Sequence, residues 1–149
     1  MSVNPDLQGR SYPPTPPYLV GREKVREFAR AVFTDDPQHI DPAAALALGY
    51  ADVVAPPTFA IVVTDATLQQ LLAEPDSGIV LQNVLHAEQK FRYSRPIVAG
   101  DELTAKLSVT GIRAMGAAAM VTSESEITDA AGEHVVTTTS ILLVGEGEA

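Results

Sequence analysis

One proline-bounded segment of this sequence begins with a stretch that is apolar at every position. The segment PPTFAIVVTDATLQQLLAEP, residues 56–75, opens with two prolines and closes at Pro75. Prolines are tolerated at the start of a helix and end it elsewhere, so one helix is predicted between them. In residues 59–63 every side chain is apolar, so that part of the helix has no polar side to expose to water. The rest of the chain is therefore expected to enclose this helix.

Long segments with a period of two follow the predicted helix. Residues 103–110 alternate between apolar and polar side chains, and in residues 121–128 valine, serine and isoleucine alternate with threonine and glutamate. Both period-two patterns predict strands. Residues 84–95 and 135–144 supply two further strands, each longer than the usual strand of about 5–6 residues. Turn signals separate the strands at residues 99–101, 113–116 and 129–132.

These elements predict an α+β hot-dog fold. A sheet buries one face and the helix has no polar side, so an antiparallel sheet is expected to wrap around the long central helix. We expect a single domain over residues 1–149. Such a sheet exposes an edge strand and part of its helix, so pairing with a second copy or a related chain is expected, giving at least a dimer.

Shorter elements are predicted before the central helix. Residues 18–20 follow a run of prolines and are predicted to form a short edge strand. In REKVREFARAVF, residues 22–33, apolar side chains recur at i, i+3, i+4 and i+7, which predicts a helix of about three turns. Asp41 is the expected N-cap of a short helix that starts with Pro42 and ends at Gly49.

The composition argues against several classes of function. Nineteen acidic and ten basic residues give a net charge of -9, so neither nucleic acid nor a membrane surface is an expected partner. The chain has no cysteine, and its three histidines lack the spacing of zinc ligands, so no metal and no other cofactor is expected. No apolar run approaches the roughly 20 residues of a membrane span, and the first residues lack the apolar core of a signal peptide. A cytoplasmic protein is expected.

Several stretches together resemble a known family. They are VGREKVREFARAV, the loop through Pro37 and Asp41, LGYADVVAPPTFA, and EQKFRYSRPIVAGDEL with the strands after it. Over nearly the whole chain they are similar to the MaoC-like hot-dog hydratases and dehydratases of acyl thioesters. They most resemble the HadA-like branch, which pairs with a catalytic HadB-like chain in (3R)-hydroxyacyl-ACP dehydratases. The resemblance implies an acyl-CoA or acyl-ACP ligand and either a homodimer or a heterodimer with a HadB-like subunit.

One loop carries the catalytic motif of this family. In active members it resembles Asp-x-Asn-Pro-(Ile/Leu/Val)-His-x-Asp, in which the first aspartate and the histidine activate water or protonate the leaving hydroxyl. When Pro37 is placed on the proline, His39 falls on the histidine and Thr34 on the first aspartate. A threonine hydroxyl does not act as a general base near neutral pH without a further ionising group. The candidate catalytic residues are therefore His39 with a neighbouring acid, Asp35 or Asp36.

A second element of the family site also departs from the pattern. Related active enzymes offer a backbone N–H from a His-Gly pair at the start of the central helix to the thioester oxygen. Here those positions are Pro56 and Pro57, which have no N–H, although the amide of Thr58 is a substitute at the next position. Losing one such donor costs about 10²–10³ in rate. Both departures predict an incomplete catalytic site.

The leading interpretation is a substrate-binding subunit of an (R)-specific acyl-thioester dehydratase or enoyl hydratase, a hydro-lyase of fatty-acid metabolism whose partner carries out the chemistry. The alternatives are a self-sufficient homodimeric enoyl-CoA hydratase that uses His39 with Asp35 or Asp36, and a non-catalytic acyl-CoA or lipid-binding homodimer. Thioesterase activity is a fourth alternative. The candidate substrate-binding residues lie on the central helix and the following strand: Thr58, Phe59, Val62 and His86.

Several polar residues have a second interpretation. His86 either binds substrate or makes a structural hydrogen bond, and the acids before Pro37 either act in catalysis or cap a turn. Arg92 and Arg95 flank Tyr93 and either meet a phosphate of CoA or phosphopantetheine, or are simply solvated.

Overall fold

The structure, a computed structural model, describes residues 3–146. There are three α-helices: α1 (Arg22–Ala31), α2 (Pro42–Ala47) and α3 (Ala60–Ala73). Five strands follow the predicted pattern: β1 (Tyr18–Leu19), β2 (Val84–Tyr93), β3 (Glu102–Met115), β4 (Ala118–Thr128) and β5 (His134–Val144). Single turns of 3-10 helix lie at Pro5–Leu7, Pro37–His39 and Leu81–Asn83.

The strands form one antiparallel sheet in the order β1-β3-β4-β5-β2. Each predicted strand is present. The turn predicted at residues 113–116 lies at residues 116–117 instead, because β3 continues to Met115. Gly116 joins β3 to β4 and Gly132 joins β4 to β5, and both have the positive φ that tight turns require and that glycine adopts without strain. A curled antiparallel sheet against a long helix is the predicted hot-dog fold, which is confirmed.

Helix α3 lies on the concave face of the sheet. Its buried side chains are spaced at i, i+3, i+4, i+7 and i+11, which is one face of a helix: Ala60, Val63, Thr64, Thr67 and Leu71. On the other side Asp65 and Ala66 are exposed, while Ile61 and Val62 are half-buried. The sheet thus covers one side of the helix and leaves part of its other side exposed. The reason is geometric, because one sheet has one concave face and covers one side of the helix.

Two apolar clusters fill the space between α3 and the sheet. The first surrounds Phe59, whose ring meets the ring of Phe28 on α1 edge to face with centroids 5.4 Å apart. The second surrounds Leu71 near the end of α3 and is closed by Val3 and Leu7 from the N-terminal segment. The first cluster therefore ties the start of α3 to α1.

The N-terminal segment covers one edge of the sheet. The amides of Gly9, Tyr12 and Thr15 donate to carbonyls of β3 at 2.8, 2.9 and 2.9 Å, and β1 continues the pairing along the same strand. At the opposite edge, β2 pairs only with β5 in the part of the chain that the structure describes. The ten-residue strand β2 therefore presents an open edge.

Candidate functional site

His39 ends the 3-10 helix Pro37–His39 and is buried, with 6% of its surface exposed. Its Nδ1 atom lies 2.6 Å from the carbonyl oxygen of Val54. A carbonyl only accepts hydrogen bonds, so Nδ1 carries the proton and the neutral ring keeps its free electron pair on Nε2. One ring nitrogen is thus committed to the backbone and the other is available for proton transfer.

Backbone hydrogen bonds hold this imidazole in place. The amide of Val54 donates to the carbonyl of Gln38 at 3.0 Å, so the loop and the segment before α3 are joined on both sides of the His39 ring. The amide of Ala55 donates in turn to the carbonyl of Ile97 at 2.8 Å. The histidine therefore sits between two segments whose positions are fixed by the fold.

A cavity of about 340 Å³ opens beside His39, and we call it the His39 cavity. It lies between the loop, the segment before α3 and the end of β2. Its polar lining residues are Gln38, His39, Tyr50, Tyr93, Ser94 and Arg95. Among residues 3–146, no aspartate or glutamate lines this cavity. The imidazole therefore has no carboxylate beside it in the cavity.

Tyr93 is a polar group of this cavity that the sequence analysis did not single out. Its hydroxyl donates to the carbonyl of Pro57. Burial raises the pKa of Tyr93 to about 12, and this outweighs a lowering effect of the backbone at Ala60. Tyr93 is therefore neutral near pH 7 and acts there as a hydrogen-bond donor, not as a base. The sequence signal for this role was the spacing of Tyr93 and Phe91, which are two residues apart on β2 and therefore lie on the same face of the strand.

The raised pKa of Tyr93 predicts a late phenolate in an alkaline titration. In a titration followed by ultraviolet absorbance, the phenolate signal that the wild type shows and Tyr93→Phe lacks should appear near pH 12, and not near the usual pH 10. Because the folded protein holds this proton longer than the unfolded chain, stability from this group is complete below about pH 10 and is lost as the pH rises towards 12. A difference signal centred near pH 10 would contradict the burial of this hydroxyl.

Arg95 is held by ion pairs at the rim of the cavity. Its guanidinium donates to both carboxylate oxygens of Asp101, at 2.9 and 3.1 Å, and to Asp129 at 3.2 Å. Hydrogen bonds from the backbone of Glu133, followed by the contact with Arg95, hold the pKa of Asp129 below its usual range. Arg95 is thus not simply solvated, because its charge is paired with two carboxylates, and its contact with a phosphate of CoA or phosphopantetheine stays a prediction.

The two candidate acids lie outside the cavity. Asp35 and Asp36 are exposed, and neither lines the His39 cavity. The amide of Thr34 donates to the carbonyl of Ala29 at 2.8 Å, which ties this part of the loop to the end of α1. The structure therefore brings His39 into a cavity without the acids proposed to act with it.

Asp41 has the structural role predicted for it. Its side chain accepts a hydrogen bond from the amide of Ala43 at 3.0 Å and caps α2. A capping residue of this kind needs no catalytic function to account for its position.

The amide of Thr58, just before α3, is free to donate. Pro56 and Pro57 have no N–H, and the amide of Phe59 donates to the carbonyl of Pro56 at 2.9 Å. Within residues 3–146 the amide of Thr58 makes no hydrogen bond. Thr58 does not line the His39 cavity, however. The predicted substitute donor thus exists, but outside the lining of the cavity that contains the imidazole.

Thr58 lines a second cavity of about 480 Å³, which we call the outer groove. It lies between α1, the start of α3 and β2, and His86 lines it too. The Nε2 atom of His86 lies 3.0 Å from Oε1 of Gln89, a structural hydrogen bond. Phe59 is fully buried and Val62 packs against the first cluster, and neither lines the outer groove or the His39 cavity. Of the four candidate substrate-binding residues, the structure brings together Thr58 and His86.

Comparison with known proteins identifies the family. Residues 7–138 match the model of the FAS1-like, dehydratase domain region family. The chain belongs to this dehydratase family. Among curated relatives of this dehydratase domain, a UPF0336 protein of Leifsonia xyli is 61% identical over 142 residues, 95% of each chain. A UPF0336 protein of Streptomyces coelicolor is 45% identical over 148 residues, 99% of each chain.

Solved structures confirm that the family is MaoC-like. A MaoC-like dehydratase matches with a TM-score of 0.86 and 40% identity over 94% of this chain and 42% of that chain, so this dehydratase domain spans less than half of its length. The HadBC complex of Mycobacterium tuberculosis, a 3R-hydroxyacyl-ACP dehydratase, matches with a TM-score of 0.82 and 33% identity over 93% of this chain and 97% of that chain. The family resemblance predicted from the sequence is therefore correct.

Two further features bear on the chemistry of this dehydratase domain. No group of three or more histidine, cysteine or acidic side chains among residues 3–146 could hold a metal ion. In the same residues no helix is long and apolar enough to cross a membrane. What the His39 cavity offers is one imidazole with a free Nε2, a neutral tyrosine hydroxyl and a paired arginine.

Proposed function

We propose that this chain is the substrate-binding, catalytically incomplete subunit of an (R)-specific acyl-thioester dehydratase or enoyl hydratase in fatty-acid metabolism. One observation carries the proposal. The His39 imidazole is bound to the Val54 carbonyl in a cavity whose described lining has no carboxylate. A second chain of the same fold supplies the complete pair of catalytic groups, and this chain holds the acyl part of the substrate.

The reaction explains why these groups matter. Dehydration of a 3-hydroxyacyl thioester removes a proton from the α carbon and expels the β hydroxyl as water, while negative charge develops on the thioester oxygen. It needs a base, an acid and a hydrogen-bond donor to that oxygen. General acid–base catalysis contributes about 10²–10⁴ in rate and one oxyanion donor about 10²–10³. His39 alone supplies one of these groups, since Asp35 and Asp36 are exposed outside its cavity.

The open edge of β2 supports pairing with a second hot-dog chain. Leu85 on this strand is 64% exposed, and Val80 and Leu81 just before it are also exposed. An unpaired edge strand beside exposed apolar side chains is a site for adding another strand. The match to one chain of the HadBC complex agrees with such an assembly. The partner is either a HadB-like chain or a second copy of this chain.

A lysine on this edge should prevent the pairing. We expect Leu85→Lys to shift the assembly to single chains in size-exclusion chromatography with light scattering, because a charged side chain on an edge strand opposes strand addition. The matched control is Leu19→Lys, since Leu19 is 65% exposed on the opposite edge strand β1. An assembly that survives Leu85→Lys and dissociates with Leu19→Lys would place the interface at the other edge.

The catalytic part of the proposal is tested by an assay of trans-2-enoyl-CoA hydration, followed as loss of the enoyl-thioester absorbance. The purified chain is assayed alone and after addition of a hot-dog chain that carries the Asp-x-Asn-Pro-x-His loop. We expect the lone chain to bind the same thioesters without turning them over, and the mixture to turn them over. A mixture that binds thioesters and never turns them over would favour the acyl-CoA-binding alternative.

A further inference from the structure

A band of hydroxyl side chains crosses the concave face of the sheet. Ser123 pairs with Ser140 across β4 and β5, and Ser125 pairs with Thr138 in the same way. With Thr67 of α3 we call these residues the hydroxyl belt. The belt separates the two apolar clusters, since Ile127 lies on one side of it along β4 and Val121 on the other. Polar groups in such a place are costly unless they find hydrogen-bond partners.

Most of the belt is satisfied from within the chain. Thr67 donates to the carbonyl of Thr64 at 2.6 Å, which leaves its oxygen to accept from Ser125 at 3.1 Å. The hydroxyl of Ser140 donates to Oε1 of Gln89. Ser123 and Thr138 differ, because neither side chain makes a hydrogen bond within residues 3–146, although the two residues are only 5% and 1% exposed. Two hydroxyls of the belt therefore lack a partner among the described residues, and of these two Ser123 lines a cavity.

Ser123 lines a cavity of about 140 Å³ between α3 and the sheet, which we call the inner cavity. Its other polar lining residues are Thr64, Asp65, Thr67, His86, Ser125 and Ser140, and Ile61 and four leucines complete the wall. An apolar cavity of similar size stays dry and accepts apolar ligands, whereas a polar cavity takes water or a polar group, at about 30 Å³ of liquid volume per water. The inner cavity is therefore suited to a ligand end that can form hydrogen bonds.

The inner cavity lies next to the outer groove. Ile61 and His86 line both of them. The outer groove lies along β2, the strand whose open edge is the proposed docking site of the second chain. For an acyl chain that enters through the outer groove, the inner cavity is the adjacent space that can take its far end.

We propose that the inner cavity receives the distal end of the acyl chain and that the hydroxyl belt selects acyl chains that carry an oxygen function there over plain alkyl chains. This inference rests on the proposed function and adds the class of substrate to it. A distal hydroxyl exchanges hydrogen bonds with Ser123 and replaces the water it displaces. An alkyl end displaces the same water and leaves the buried hydroxyl without a partner, which lowers its affinity.

The test compares ligands that differ in one hydroxyl. Isothermal titration calorimetry of the full chain would measure the Kd of trans-2-octenoyl-, trans-2-decenoyl- and trans-2-dodecenoyl-CoA, each with and without a terminal hydroxyl, and of CoA itself. At the chain length that binds tightest we expect the hydroxylated thioester to bind about tenfold more tightly than the alkyl thioester. Equal binding, or tighter binding of the alkyl thioester, would overturn the inference while leaving the proposed function intact.

Variants locate the effect in the belt. Ser123→Ala combined with Ser125→Ala should remove the preference for the hydroxylated thioester. The control is Thr139→Ala, which removes a hydroxyl from the opposite face of β5, where Thr139 pairs with Glu124 and Lys90. A preference that persists in the belt variant would also overturn the inference. Thioesters of both kinds that bind no better than CoA would instead overturn the proposed function on which it rests. The wild-type comparison decides the question even where the double variant does not fold.

Discussion

Addition of a hot-dog chain with an intact Asp-x-Asn-Pro-x-His loop should raise the rate of trans-2-decenoyl-CoA hydration by about 10⁴-fold or more over this chain alone. The expectation combines a missing acid–base partner, worth about 10²–10⁴, with a missing oxyanion donor, worth about 10²–10³. In this chain Thr34 stands at the position of the catalytic aspartate and Pro57 at the position of an amide donor. The measurement is kcat of the mixture at saturating partner.

Substitutions then show which chain performs the chemistry. In the mixture, His39→Gln should leave kcat within about threefold of the wild-type value. The substitution removes the imidazole, but the amide of glutamine can still donate to the Val54 carbonyl. Replacing the loop aspartate of the added chain by asparagine should abolish turnover. A loss of about 10²-fold or more with His39→Gln, in a complex that still assembles, would show that the His39 imidazole takes part in the reaction.

Phe59→Ala should lower the free energy of unfolding by about 3–5 kcal/mol. The side chain is fully buried and its ring contacts the ring of Phe28, so truncation leaves a cavity at the point where α3 meets α1. A loss of this size is a large part of the total stability of a domain, which is about 5–15 kcal/mol. Urea unfolding followed by circular dichroism measures the change.

The control for this substitution is another phenylalanine. Phe33 is 93% exposed, so Phe33→Ala should change the free energy of unfolding by about 0.5 kcal/mol or less. A loss with Phe59→Ala no larger than that with Phe33→Ala would mean that Phe59 does not lie in the core. That result would favour its original assignment as a substrate-binding residue.

The fold was largely predictable from the sequence because its signals are local. Alternation over residues 103–110 and 121–128 marks strands with one buried face, and glycines mark the turns between them. The N-cap at Asp41 was equally readable from the proline after it. Each of these signals depends on neighbours in sequence, not on contacts between distant segments.

The surroundings of the site depend on distant segments and were less predictable. That His39 binds the Val54 carbonyl follows from packing of the loop against a segment fifteen residues later, which no periodicity marks. The role of Tyr93 depends on the turn at Pro57 in the same way.

The hydroxyl belt shows a further limit of pattern reading. In residues 121–128 the period of two identifies a strand, and Ser123 and Ser125 occupy the inward positions between Val121 and Ile127. Serine on an inward position does not disturb the alternation enough to suggest a cavity. The cavity exists only because α3 and β5 bring Thr67 and Ser140 to the same place.

If this chain alone lacks the groups for catalysis, the purified lone chain should not hydrate trans-2-enoyl-CoA at steady state. Wild type and His39→Ala are assayed side by side, with folding of both checked by circular dichroism. We expect the same rate for both, no higher than that of the buffer. Substantial turnover by the wild type that disappears in His39→Ala would contradict it.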